Sequence, residues 1–205
     1  MKKVLFATHN TSKLNLYRNM LEGSNYELIG LDDLDINCDV KEEGNDNKEI
    51  AIKKVSEYSK QSKFITISED TGLYFEGVSE EDQPGVHVNS PKGTILNEEE
   101  RLDYYVNLIK KYGGTLNGYW TKTVAISSRD GQIFTFDYKI HKIFTDEINE
   151  NRNPGYPLDS ISITPEYNKY TVLLTDEENT KLNDKCNKEI HEFLIKTLDE
   201  ICQNE

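Results

Sequence analysis

The strongest constraint on this chain's fold is an alternation of short apolar runs with helix-period segments, broken once by two strand-like stretches in succession. Residues 3–7 read as a short buried strand, closed by polar Thr8-His9-Asn10-Thr11-Ser12. Leu14, Tyr17 and Leu21 then recur at helical spacing until Gly23 stops the pattern. Tyr26 to Leu31 reads as a second strand, and an acidic loop from Asp39 to Asn47 gives way to a helix with Ile50, Val55 and Tyr58 among its apolar positions. The β-branched run Phe64-Ile65-Thr66-Ile67 predicts a buried strand that runs straight into Ser68-Glu69-Asp70-Thr71-Gly72.

Downstream, the segment 77–94 is rich in turn formers and reads as a long surface excursion. Asn97 with Glu100 makes a capping box, and the helix it opens closes at Lys110-Lys111 before Gly113-Gly114. Tyr119 to Ser128 and Gln132 to Phe144 are strand-like and meet at Asp130-Gly131, a pair favoured in tight hairpins. The stretch 145–165 is polar and irregular, Thr175 with Glu178 forms a second capping box, and a last helix spans roughly 184–202. No repeat, low-complexity tract or linker divides the chain, so the expectation is a single domain over 1–205, α/β in class, with a central mixed β-sheet flanked by helices.

Composition narrows the function classes. With 24 Lys+Arg against 37 Asp+Glu, the 205 residues carry a net charge of −13. That balance argues against binding nucleic acid, whose backbone is held by clustered cations. The N-terminal apolar run is far too short for a signal peptide or a membrane span, and no later segment approaches ~20 apolar residues. Cys38, Cys186 and Cys202 are odd in number, widely spaced and free of C-x-x-C pairing, which suggests reduced thiols in a cytoplasmic protein. His9, His87, His141 and His191 show no metal-ligand spacing.

Three clusters carry chemistry. Thr8, His9, Asn10, Thr11, Ser12 and Lys13 form a polar turn feeding a helix N-terminus, where free N–H groups, the helix dipole and the Lys13 ammonium suit a phosphate; a plain Ser/Thr-type cap is the simpler reading. Glu42-Glu43-Gly44 is followed by Glu49, Lys53 and Lys54; Glu49 and Lys54 diverge around a helix by more than a right angle, so alone this reads as a solvated face. Glu69 and Asp70 are adjacent carboxylates after a buried strand, which repel unless a cation or proton relieves them; a hard divalent ion and a simple loop explain them equally. Taken together, the clusters are the parts needed for Mg²⁺-dependent phosphoryl chemistry.

The order Thr8-x-Asn10-x-x-Lys13, Glu49-Ile50-x-Ile52-x-Lys54, Glu69-Asp70-Thr71-Gly72-Leu73, Pro84-Gly85-Val86, Gly155-Tyr156 and Pro165-Glu166-Tyr167-Asn168-Lys169 resembles the inosine triphosphate pyrophosphatase family. The resemblance implies an elongated, two-lobed fold with a cleft between the lobes, usually homodimeric. It also implies hydrolysis of a nucleoside triphosphate, typically of a deaminated purine, to the monophosphate and pyrophosphate with Mg²⁺ (or Mn²⁺). Carried over by position, Thr8, Asn10 and Lys13 would bind triphosphate, with His9, Thr11 and Ser12 in the same turn. Glu49, Glu69 and Asp70 would hold the metal, and Asp70 would also orient or deprotonate the attacking water. Lys54 would contact phosphate, Thr71 the substrate, and Tyr156 would stack on the base, with Gly155 and Asp159 in the same motif.

Two departures lie in the phosphate turn and the helix after it, and the others in the base-reading half. This chain has His9 and Leu16 where the family usually carries Gly and Glu. A family Lys-Asn-x-x-Ser-His-Arg stretch aligns with Asn179 to Lys185, so that Lys becomes Asn179, His becomes Asp184 and Arg becomes Lys185. Asp184 with Lys185 then either reads a different base, as a carboxylate accepting from guanine N–H groups, or Asp184 simply occupies the first turn of the last helix. The alternatives to the family activity are the same fold acting on another base or a modified nucleotide, and a non-catalytic nucleotide-binding protein.

Overall fold

The computed structural model describes residues 1–34, 36, 40, 44 and 46–204. Cys38 and most of the acidic stretch from Asp39 to Asn47, including Glu42 and Glu43, lie outside the described residues. The strands are β1 (Lys2–Phe6), β2 (Tyr26–Gly30), β3 (Thr66–Phe75), β4 (Thr115–Ser127), β5 (Ile133–Thr145), β6 (Ser162–Thr164) and β7 (Lys169–Tyr170). The helices are α1 (Thr11–Met20), α2 (Asn47–Ser62), α3 (Glu98–Lys111) and α4 (Asp176–Asn204). One mixed sheet runs in the order β2-β1-β3-β4-β5-β6-β7.

β1 is parallel to both its neighbours, with Leu5 opposite Ile29 on β2 and opposite Thr66 on β3. Parallel neighbours need a crossover, and α1 and α2 supply the two. β5 with β6 and β6 with β7 are antiparallel. The Asp130-Gly131 turn joins β4 to β5 as expected, Gly131 taking the positive φ of 89° that the turn requires.

The chain divides into two compact units, and β3, β4 and β5 each contribute to both. The first comprises Met1–Asp70, Lys122–Tyr138 and Asn183–Glu205. Here the two-residue period of β1 separates its side chains cleanly. Val4 and Phe6 pack with Tyr17 of α1, with Leu21 just past its end, and with Ile190, Leu194, Leu198 and Ile201 of α4. Leu5 and Ala7 pack with Ile29, Leu31 and Tyr58 of α2. The second unit, Thr71–Thr121 and Lys139–Leu182, has its own core of Leu73, Phe75, Leu102, Tyr105, Ile109, Phe144 and Ile161. Gly118 is required there, because a Cβ would stand 2.8 Å from the Phe75 ring and from the Tyr74 carbonyl.

Both capping boxes form, Asn97 with Glu100 and Thr175 with Glu178. The second corrects the expected start of the last helix: α4 begins at Asp176, not near 184, because the cap acts on the residues that immediately follow it. Three further differences concern strands. β3 does not end before Ser68 but continues to Phe75, driven by Tyr74 and Phe75 beyond the acids. The stretch 145–165 contains β6, and β7 follows it; both are too short to show a period in the sequence. Among the described residues, no helix is long and apolar enough to cross a membrane.

Candidate active site

Where β1 ends, its backbone leaves the sheet through Thr8 and His9 and enters α1. Ala7 N–H still donates to Ile67 of β3 at 2.7 Å, so the exit point is fixed beside the acidic part of β3. Thr8 Oγ1 accepts from Asn10 N–H at 3.1 Å, and Asn10 Oδ1 accepts from Lys13 N–H at 3.0 Å. Asn10 is therefore the N-cap, and it locks the turn that brings Lys13 round to β3. The helix is capped, by Asn10 rather than by the expected Ser or Thr, and the N–H groups of Thr11 and Ser12, in the first turn, have no intrahelical acceptor. Both side chains are exposed.

Glu69 and Asp70 lie within β3, so they point to opposite faces of the sheet. Glu69 faces α1: Oε1 pairs with Lys13 Nζ at 3.2 Å and Oε2 accepts from the Tyr17 hydroxyl at 2.7 Å. Asp70 faces α2 and pairs with Lys54 Nζ at 3.1 Å. Ser68, two residues before Asp70, likewise donates to the Ala51 carbonyl of α2 at 2.8 Å. Two buried carboxylates are thus relieved by two lysines, one from each flanking helix. The N-terminus of α2 is pinned by Asn47, which donates to Thr123 Oγ1 at 2.7 Å, while Lys48 pairs with Asp137 at 3.1 Å.

These groups surround a cavity of about 260 Å³ lined by Thr8, His9, Asn10, Lys13, Lys54, Glu69 and Asp70, with Ala7, Leu31, Val40 and Tyr58 as its apolar wall. Burying a carboxylate costs several kcal/mol even after relaxation, and apolar replacements of buried ion pairs are often neutral or stabilising. Two carboxylate–lysine pairs around one hollow are therefore a candidate binding site. A larger hollow of about 700 Å³ runs along β2, where Arg18 pairs with Asp33 at 2.9 Å and donates to the Leu28 carbonyl at 3.1 Å. The chemistry is concentrated in the smaller one.

Not every expected residue gathers there. Glu49 is exposed on the first turn of α2 and does not line the cavity, as its separation from Lys54 of about 140° around a helix requires. Among the described residues, no three His, Cys, Asp or Glu side chains converge as a preformed metal cage. The donors present are nonetheless the carboxylate oxygens that a hard divalent cation takes. Asp184 and Lys185 are both exposed in the third turn of α4, which corrects the alternative that placed Asp184 in that helix's first turn; neither lines the cavity. Cys186 and Cys202 are free thiols.

Thr71, Gly155, Tyr156 and Asp159 belong to the second unit. The Tyr156 ring is 65% exposed, and Gly155, at φ 86°, donates its N–H to Glu98 at 2.9 Å. Asp159 accepts from Asn153 at 2.9 Å, and burial pushes its carboxyl above the usual range against the opposing pull of Lys142. The buried Lys142 ammonium donates to Thr164 and Thr171, and burial lowers its pKa. Lys142 and the buried Tyr17 behind the cavity escaped sequence reasoning. Tyr17 was visible only as an apolar position of α1, and nothing marks Lys142 among the charged residues of β5.

Known proteins share this arrangement of elements. The Ham1 family model matches residues 4–187. Over 201 residues the chain is 26% identical to a dITP/XTP pyrophosphatase of Thermoanaerobacter pseudethanolicus, covering 97% of this chain and 99% of that one. Over 187 residues it is 29% identical to a dITP/XTP pyrophosphatase of Borreliella burgdorferi, covering 87% and 89%. The fold is that of the Staphylococcus aureus Ham1 protein, with a TM-score of 0.79 at 22% identity over 96% of this chain and all of that one.

Proposed function

The chain belongs to the Ham1 family, and from that premise we propose that it is a nucleoside triphosphate pyrophosphatase, releasing the monophosphate and pyrophosphate. The observation that carries the reading is the cavity of the first unit, where Lys13 and Lys54 stand on two buried acids beside the capped start of α1. At about 260 Å³ it suits a phosphate chain rather than a whole nucleotide, given that sites for drug-sized ligands run from roughly 300 to 1,000 Å³. The relatives named as dITP/XTP pyrophosphatases support a purine triphosphate carrying a 6-oxo group as substrate.

In this reading Lys13, Lys54 and the first-turn N–H groups of α1 bind phosphate oxygens and neutralise the charge that accumulates on departing pyrophosphate. Asp70 orients the attacking water and takes its proton, in line with the bond to the leaving group. Asp70 would hold a divalent cation, with Glu69 and Glu49 as the other candidate oxygens; Mg²⁺, or Mn²⁺ in its place, would polarise the reacting phosphate. A local field from ion, ammonium groups and helix terminus lets a protein of charge −13 bind a tetra-anion. Tyr156 offers a ring on which a base can stack. A single domain, a homodimer and a cytoplasmic setting complete the proposal.

The base is the part on which this chain departs from the family pattern, since Asp184 and Lys185 stand exposed on α4. A panel of ribo- and deoxyribonucleoside triphosphates with Mg²⁺, scored by pyrophosphate release, tests the whole reading. Release from ITP, XTP or dITP is expected, and it should vanish in Asp70→Asn. Silence across the panel, with nucleotide binding intact, would replace the enzyme with a nucleotide-binding protein. Activity on another nucleotide alone would keep the chemistry and change the base.

A further inference from the structure

Tyr17 is fully buried on α1, its ring stacked on Phe6 with centroids 4.4 Å apart. Packing alone does not call for its hydroxyl, because phenylalanine would stack equally well without a buried polar group to satisfy. The hydroxyl has one partner of consequence, Glu69 Oε2 at 2.7 Å. Lys13, four residues earlier and on the same face of α1, holds the other oxygen at 3.2 Å. Resting on the pyrophosphatase reading, the geometry points to Tyr17 as a positioning residue that fixes Glu69 as the anchor of Lys13, so that Glu69 aims the phosphate-binding cation instead of holding metal.

Both oxygens of Glu69 are engaged from α1, by two side chains that the helix keeps in register. Asp70, the next residue, lines the same cavity but faces α2 and pairs with Lys54, so the two acids are held by different helices. Lys13 has reason to need an anchor. Its side chain is 32% exposed, and an unanchored lysine has rotamer freedom that must be lost when it settles on phosphate. A carboxylate that cannot itself rotate, because a buried phenol grips it, keeps the ammonium at the cavity before substrate arrives. The adjacent acids thus have different partners: Glu69 is held by Lys13 and Tyr17 of α1, and Asp70 by Lys54 of α2.

The test uses inorganic pyrophosphate as probe, titrated calorimetrically, with Mn²⁺ binding followed by electron paramagnetic resonance and turnover measured on the preferred triphosphate. Tyr17→Phe and Glu69→Gln should each weaken pyrophosphate binding about ten- to a hundredfold, the loss expected for a hydrogen bond to a charged group. Both should raise KM more than they lower kcat and leave Mn²⁺ affinity unchanged, whereas Asp70→Asn should lower it. In a Lys13→Met background Tyr17→Phe should have no further effect, which a merely structural hydroxyl would not show. If Tyr17→Phe melts below the assay temperature, Glu69→Gln carries the same expectation. Loss of Mn²⁺ affinity in Glu69→Gln to the extent seen in Asp70→Asn would overturn the proposal, as would a Tyr17→Phe penalty of equal size with and without Lys13. Failure of the wild-type protein to bind pyrophosphate or release it would instead overturn the pyrophosphatase reading.

Discussion

Lys54 reaches Asp70 with both side chains nearly sealed from solvent, 13% and 12% exposed. An ammonium in that position holds the acid in the free protein, and under the proposed function it would also offer charge to a phosphate. Removing it should therefore move two affinities in opposite directions. Lys54→Met is expected to weaken pyrophosphate binding at least about tenfold, while Mn²⁺ binding tightens because a competing cation has gone from beside Asp70. Calorimetry and paramagnetic resonance read the two effects separately, and a fall in both would show that Lys54 does no more than support the fold. At this scale the sequence was informative but incomplete. Residue types at 13, 54, 69 and 70 pointed to phosphate chemistry, yet the pairing of Lys13 with Glu69 and of Lys54 with Asp70 depends on which face of β3 each acid takes. That face follows from where the strand ends, and β3 runs through the acids to Phe75.

For α1 the deciding residue is its cap. Asn10 accepts from Lys13 N–H at 3.0 Å and so both starts the helix and sets the height at which Lys13 leaves it. Asn10→Ala should cost about 1 kcal/mol, within the 0.5–2 kcal/mol range for such caps. For a chain of this length that is a drop in Tm of roughly 2–4 °C, accompanied by weaker pyrophosphate binding. Melting curves and titrations on the one variant check both. Caps were legible because they act locally: Asn97 with Glu100 and Thr175 with Glu178 were read correctly as boxes. The apolar period of the later turns predicts a start near 184, whereas the cap at Thr175 starts α4 at Asp176. Its first two turns are polar and need no apolar stripe to be helical.

Over the whole molecule, acidic charge exceeds basic by 13, so buried acids depend on specific donors. Asp82 is the clearest case outside the cavity. Lys92, Lys111 and Tyr112 all reach its carboxylate, fastening the 79–94 excursion to the end of α3. The Lys111 ammonium, then the Tyr112 hydroxyl, hold that carboxyl well below the usual range. A depressed acid stabilises the fold while it is ionised, so its contribution is full above the ordinary carboxylate range and fades as pH falls below it. Asp82→Asn should lower Tm by a few degrees near neutrality, and the gap to wild type should narrow once the pH drops below about 4. A gap that stays constant with pH would assign the stabilisation to packing. What the sequence determined by itself is what short-range physics controls: the strand–helix alternation, the Asp130-Gly131 turn, the caps, and the residue types that handle phosphate and metal. Only the tertiary structure decided which acid faces which lysine, that Tyr17 turns a core position into a grip on Glu69, and that Asp184 stands in solvent. Those outcomes depend on strand length, face and helix docking, which no local window of sequence encodes.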